Sequence, residues 1–292
     1  MYEKLELVID AKATLGEGPC WDANANTLYW TDIVEQKVHM YHPLSDTSQF
    51  IQVGQYVSAV VPRQSGGLVL AMHRGFYFYD FRNKQLTPIA DPEQDKPGNR
   101  FNDGKCDVKG RFWAGTMNLE EQPGLGAFYC LSPDKSVTKM LDSVSVSNGI
   151  AWSSNNKTMY YIDTPTRAVT AFDFDLDSGS LARPRQIICI PEGEGLPDGM
   201  TIDEEGMLWI AHWDGAKVSR WNPETGECLE EVPVPASKVT SCAFGGSRMD
   251  ELYITTARKG LSEAELREQP HAGGLFCIKT SVKGTAGHSF SG

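Results

Sequence analysis

Six times along this chain a turn is followed by an apolar strand pattern: Leu28-Tyr29-Trp30, Leu68-Val69-Leu70, Phe112-Trp113-Ala114, Met159-Tyr160-Tyr161, Leu208-Trp209-Ile210 and Leu252-Tyr253-Ile254. Their first positions lie 40, 44, 47, 49 and 44 residues apart. Each copy carries a second apolar strand a short distance on, from Val38-His39-Met40-Tyr41 in the first to Leu275-Phe276-Cys277-Ile278 in the last. Turn formers such as Asp22-Ala23-Asn24-Ala25-Asn26, Gly66-Gly67 and Pro223-Glu224-Thr225-Gly226 punctuate the strands. A period of this length in β sequence predicts propeller blades, since one small sheet cannot bury both its faces and must stack on neighbours. The expected fold is all-β, a six-bladed β-propeller of four-stranded antiparallel blades, with residues 1–292 as one domain. Ankyrin and tetratricopeptide arrays are excluded because their repeats are shorter and helical. The best helical pattern, Leu261 to Glu268, is long enough for a surface turn or two.

Closing such a ring removes its open sheet edges, and the apolar stretch from Lys4 to Ala11 is expected to pair with the last blade for that purpose. The formal net charge of -11, with no basic run, argues against nucleic acid as a partner. No run of about 18 apolar residues is present to cross a membrane, and Met1 to Val8 lacks the apolar core of a signal peptide. Seven cysteines, an odd number without a Cys-x-x-Cys pair, read as free thiols in a reducing cytoplasm.

A second recurrence sits at the start of each inner strand. Glu17, Ser58, Asn102, Asn148, Asp198 and Ser241 are separated by 41, 44, 46, 50 and 43 residues, in step with the blades. In a closed propeller equivalent positions surround the axis, so six oxygen-bearing side chains are expected to ring one end of the channel. Asn-Gly and Asp-Gly pairs form turns without any metal. Recurrence in register, with Glu17 and Ser58 in place of turn chemistry, points further, to a site for one divalent cation. An all-oxygen donor set without Cys or His suits Ca²⁺ most naturally, with Mg²⁺, Mn²⁺ and Zn²⁺ able to use it.

The local sequences are also informative together. Leu15-Gly16-Glu17-Gly18-Pro19 with Trp21, Asn99-Arg100-Phe101-Asn102-Asp103-Gly104-Lys105, Gly110 through Met117, Ser147-Asn148-Gly149-Ile150-Ala151-Trp152, Pro197-Asp198-Gly199-Met200 and Gly273-Gly274-Leu275-Phe276 span essentially the whole chain. In these segments the chain resembles the gluconolactonase, regucalcin and senescence-marker-protein family of six-bladed lactonases. The resemblance implies that Glu17, Asn148 and Asp198 coordinate the metal, with Asn102 nearby. It further implies that Arg100, Asn102 and Glu120 contact the substrate, with Asp103 close by. Glu121 is the alternative to Glu120, because that loop varies in length across relatives. Val108 and Asp214 stand where relatives commonly have Pro and Gly, away from the implied ligands.

The activity so implied is hydrolysis of a small-molecule sugar lactone. A cation polarises the carbonyl, and Asp198, or Asp103 as second choice, takes the proton of the attacking water. Two other readings compete: a calcium- or ligand-binding propeller without turnover, and a paraoxonase-like esterase or phosphotriesterase. Histidines 39, 73, 212 and 271 share no motif, and no Gly-x-Ser-x-Gly elbow occurs, so none is assigned a catalytic role.

Overall fold

The computed structural model describes residues 4–292. Among these, six four-stranded antiparallel sheets each run outward from an inner strand, in chain order in the first five. The inner strands are Gly16–Asp22, Val57–Pro62, Asn99–Cys106, Ser147–Trp152, Leu196–Ile202 and Val239–Gly245, for blades 1 to 6. Each packs against the inner strands on both sides, and the sixth packs against the first, which closes the ring. The sequence predicted this six-bladed propeller. The outermost strand of blade 6 comes from the chain's other end: Glu6–Ile9 pairs with Leu275–Lys279, Glu6 opposite Cys277 and Leu7 opposite Phe276. The expected seam is therefore present, and blade 6 is stitched from both ends of the chain.

The cores lie between blades rather than within them. Tyr29, Val38 and Met40 of blade 1 pack with Val60, Leu68 and Leu70 of blade 2, and Trp113 and Phe128 of blade 3 with Ile150, Met159 and Tyr161 of blade 4. Inner strands are covered on both faces, which is why they are apolar on both and buried nearly throughout. A local device recurs in the turns of blades 3 and 5. In Asp107-x-x-Gly110-x-x-Trp113 and Asp203-x-x-Gly206-x-x-Trp209, the aspartate accepts backbone bonds from the turn at one oxygen. Its other oxygen accepts the indole N–H, at 2.9 and 3.0 Å. Buried Arg111 and half-buried Arg220 complete the two clusters, so each hairpin is fixed to its own strand.

The inner strands share one feature that positions side chains. Every one departs from regular register near its start. In blades 3, 4 and 5 two residues, Asn102-Asp103, Asn148-Gly149 and Asp198-Gly199, oppose a single residue of the next strand. Such bulges turn a side chain out of the alternating pattern. Gly149 is required by close approach: a Cβ there would stand 2.6 Å from Met200 Cβ and 2.9 Å from the Asp198 carbonyl. The short helix Glu263–Glu268 is capped by Ser262 and Glu265, each side chain bonded to the other's backbone.

Candidate active site

The bulges bring Glu17, Asn102, Asn148 and Asp198 to one pocket of about 250 Å³ at the end of the channel where the inner strands begin. All four are buried. The other two ring positions do not line it. Ser58 donates to the Phe101 carbonyl at 2.5 Å, and Ser241 fills the space above Gly199. Arg100 is on the wall, with Leu15, Met117, Leu196 and Trp213 as its apolar part.

A chain of hydrogen bonds runs across three blades. Arg100 Nη1 donates to Asn102 Oδ1 at 2.6 Å, and Asn102 Nδ2 donates to Asn148 Oδ1 at 3.0 Å. Asn148 Nδ2 donates to Thr164 Oγ1, and Thr164 Oγ1 donates to the Pro197 carbonyl, both at 2.8 Å. Every member has a defined direction, so both amides are locked with one lone pair of Asn148 Oδ1 left for another partner. Thr164 was not legible as a site residue in the sequence. It lies in a single 3-10 turn after the second strand of blade 4, with Pro165 following as a turn former. The entries to the inner strands of blades 1 and 4 are held by Asp32, which accepts from Thr14 N and Leu15 N, and by Asp163, which accepts from Ser145 N and Val146 N.

The electrostatics are dominated by burial of like charges. Burial, and then the charge of Asp103, push the Glu17 carboxyl up to about 8. Burial together with Glu17 and Asp103 carries Asp198 well above the usual carboxylate range. Burial also raises Asp103, which is not on the pocket wall; its Oδ1 accepts from Gly104 N at 2.7 Å. Arg100 is lowered by burial to about 10 and remains a cation at neutral pH. Asp198 Oδ1 is buried with no hydrogen-bond partner. Two carboxylates, one of them with an orphaned oxygen, and an amide oxygen fit a hard divalent cation, which would satisfy the free oxygen and relieve the repulsion. Among the described residues no three His, Cys, Asp or Glu side chains form a metal-ligand cluster, so the amide oxygen is a necessary part of any such set.

The loop after the second strand of blade 3 separates the two glutamates. Glu121 lines the pocket and pairs with Lys259 at 3.6 Å. Glu120 does not line it; its carboxylate accepts from Gln122 in solvent. The rim also carries Lys238, held over the Trp213 ring at 4.6 Å and bonded to Asp214 at 2.7 Å. His212 is bonded to the Glu194 carbonyl and Ser219, and His39 stacks on Trp30, so both are structural.

A family model described as the SMP-30/Gluconolactonase/LRE-like region matches residues 15–258. The chain belongs to this family. It is 40% identical over 286 residues to "Putative sugar lactone lactonase YvrE" of Bacillus subtilis (strain 168), covering 98% of each. It is 41% identical over 295 residues to regucalcin of Xenopus laevis, covering 99% of each. Its fold superposes with a TM-score of 0.94 on the crystal structure of a calcium-binding protein, regucalcin, from Agrobacterium tumefaciens str. C58. That match has 28% identity and covers 99% of this chain and 97% of the other. In this SMP-30/gluconolactonase family member the matched region holds Glu17, Arg100, Asn102, Asn148 and Asp198.

Proposed function

We propose that this chain is a metal-dependent hydrolase that opens the ring of sugar lactones in the pocket around Glu17, Asn148 and Asp198. One observation carries the reading: buried Glu17 and Asp198 face one small pocket, and an oxygen of Asp198 has no partner in the protein. The name of the Bacillus subtilis relative and the family description support a lactone as substrate. Glu17, Asn148 and Asp198 would hold one divalent cation, Ca²⁺ by donor chemistry and Zn²⁺, Mn²⁺ or Mg²⁺ by tolerance. When bound, that cation supplies Lewis acidity toward the lactone carbonyl oxygen.

The chain's own residues do the rest. Arg100 and Asn102, immobilised by the hydrogen-bond chain, bind the substrate hydroxyls and orient the ring. Glu121 stands on the wall where Glu120 was expected, and takes that substrate-facing role. Asp198 accepts the proton of the attacking water as the new carbon–oxygen bond forms, and returns it to the ring oxygen as the ring carbon–oxygen bond breaks, giving the hydroxyl of an aldonic acid. Asp103, off the wall and bonded to Gly104, is less well placed for that proton. Free cysteines at all seven positions suit a reducing cytoplasm.

The test is proton release from glucono-1,5-lactone in weak buffer, with chelated protein and after return of Ca²⁺, Mg²⁺, Mn²⁺ or Zn²⁺. Metal-dependent acceleration over spontaneous opening is the expected result. Folded protein that binds a metal but accelerates nothing across a panel of lactones would replace this reading with a calcium-binding propeller.

A further inference from the structure

The larger of the two cavities on the channel lies at its opposite end, about 390 Å³ against about 250 Å³. All six inner strands contribute to it from their far ends or just beyond, through Trp21, Val61, Lys105, Trp152, Ile202 and Phe244. Its outer wall is a strap near the end of the chain. Gly284 is anchored by a bridge to Asp203, and Phe290 is fully buried in the core shared by blades 2 and 3. Between these anchors Thr285, Ala286, Gly287 and His288 cross the opening.

The walls are mainly apolar and carry no Asp or Glu. Lys105 supplies the one ammonium, and the other polar side chains are Ser153, Ser154, Asn156, Thr201, Thr285 and His288. Lys105 Nζ donates to the Met200 carbonyl at 2.7 Å, which uses one of three protons and leaves the positive charge facing an apolar space. The carboxylate whose charge reaches it, Asp103, lies two residues up the strand and is engaged by Gly104. A buried ammonium in such surroundings is stabilised by an anion of its own. The thiols on the wall offer no competing chemistry: burial holds Cys20 protonated, up to about 12, and raises Cys106 as well.

We propose that this cavity binds a small apolar monocarboxylate, its carboxylate on the Lys105 ammonium and its hydrocarbon body among Trp21, Trp152 and Phe244. One lysine matches one negative charge, and no second Lys or Arg lines the wall to balance a dianion. The volume falls within the range of small-molecule sites, and their usual pattern is apolar walls with a few placed polar groups. This inference stands apart from the lactonase reading, since the two cavities occupy opposite ends of the channel.

The experiment is isothermal titration of the full chain with sodium octanoate, using wild type, Lys105→Met and Ala286→Trp. Ala286 is exposed on the strap, so the tryptophan fills the cavity from outside and leaves the blades intact. The expected result is one octanoate per chain in wild type and weakening of at least about tenfold in each variant, with lactone turnover by Ala286→Trp unchanged. Should Lys105→Met fail to fold, Ala286→Trp alone decides. Absence of binding to wild type, or binding that survives in a folded variant, overturns the proposal.

Discussion

The two ends of the axial channel are built from the same six strands and differ in almost every chemical respect. Where the strands begin, bulges turn Asn102, Asn148 and Asp198 toward the axis and bury carboxylates side by side. Where they end, the walls are apolar with one ammonium, and a strap closes the opening. The difference teaches that position along a blade strand, more than the blade itself, sets the chemistry: the irregular end carries charge and the regular end carries packing. At the first end a carboxylate oxygen of Asp198 is buried without a partner, which is the pattern of a site held ready for a ligand.

The comparison is broken most severely by opening the ring. Deleting residues 1–10 removes Glu6–Ile9 from blade 6, and both ends should fail together, with a large fall in Tm and loss of lactone turnover. Unchanged thermal unfolding would show that closure does not depend on that strand. Next in size, Asp198→Ala should lower metal-dependent lactone hydrolysis by about a thousandfold or more while circular dichroism stays native; near-normal turnover would remove Asp198 from the chemistry.

Phe290→Ala probes the other end alone. It should cost about 3–5 kcal/mol of stability in denaturant titration and leave the KM for lactone unchanged, because Phe290 anchors the strap far from Glu17 and Asp198. The smallest effect is a pH slope. Glu17 is raised to about 8, so in chelated protein the folded state keeps a proton that the unfolded chain releases from about pH 4.5 upward. Its unfavourable contribution is absent in acid and grows as pH rises to 8, so Tm should fall across that window. Glu17→Gln should flatten the slope; an unaltered slope would assign it to Asp103 or Asp198.

The blades were legible because each one repeats the same burial problem at the same spacing, and the seam was legible because an unpaired apolar strand needs an edge. The ring of oxygens was right at four positions of six: Ser58 and Ser241 recur at the same spacing, but Ser58 is turned onto the Phe101 carbonyl and Ser241 packs over Gly199, so neither lines the pocket. Register against a partner strand cannot be read from one strand's residues. The same applies to Glu120 and Glu121, where a positive φ of 56° at Glu121 reverses the loop and exchanges which carboxylate faces inward. The Lys283–Gly292 strap carries no periodicity, and its place is fixed by contacts distant in sequence, from Asp203 with Gly284 to Arg63 Nη2 with the Gly292 carbonyl.

The seam of blade 6 also bears on how the molecule is made. Leu275–Lys279 is synthesised after every other blade strand, while the strand it pairs with, Glu6–Ile9, is synthesised before them all. Until blade 6 is made, the inner strand of blade 1, which carries Glu17, lacks its neighbour Val239–Gly245. Glu17, on blade 1, therefore comes fully under the charge of Asp198, on blade 5, as the ring closes.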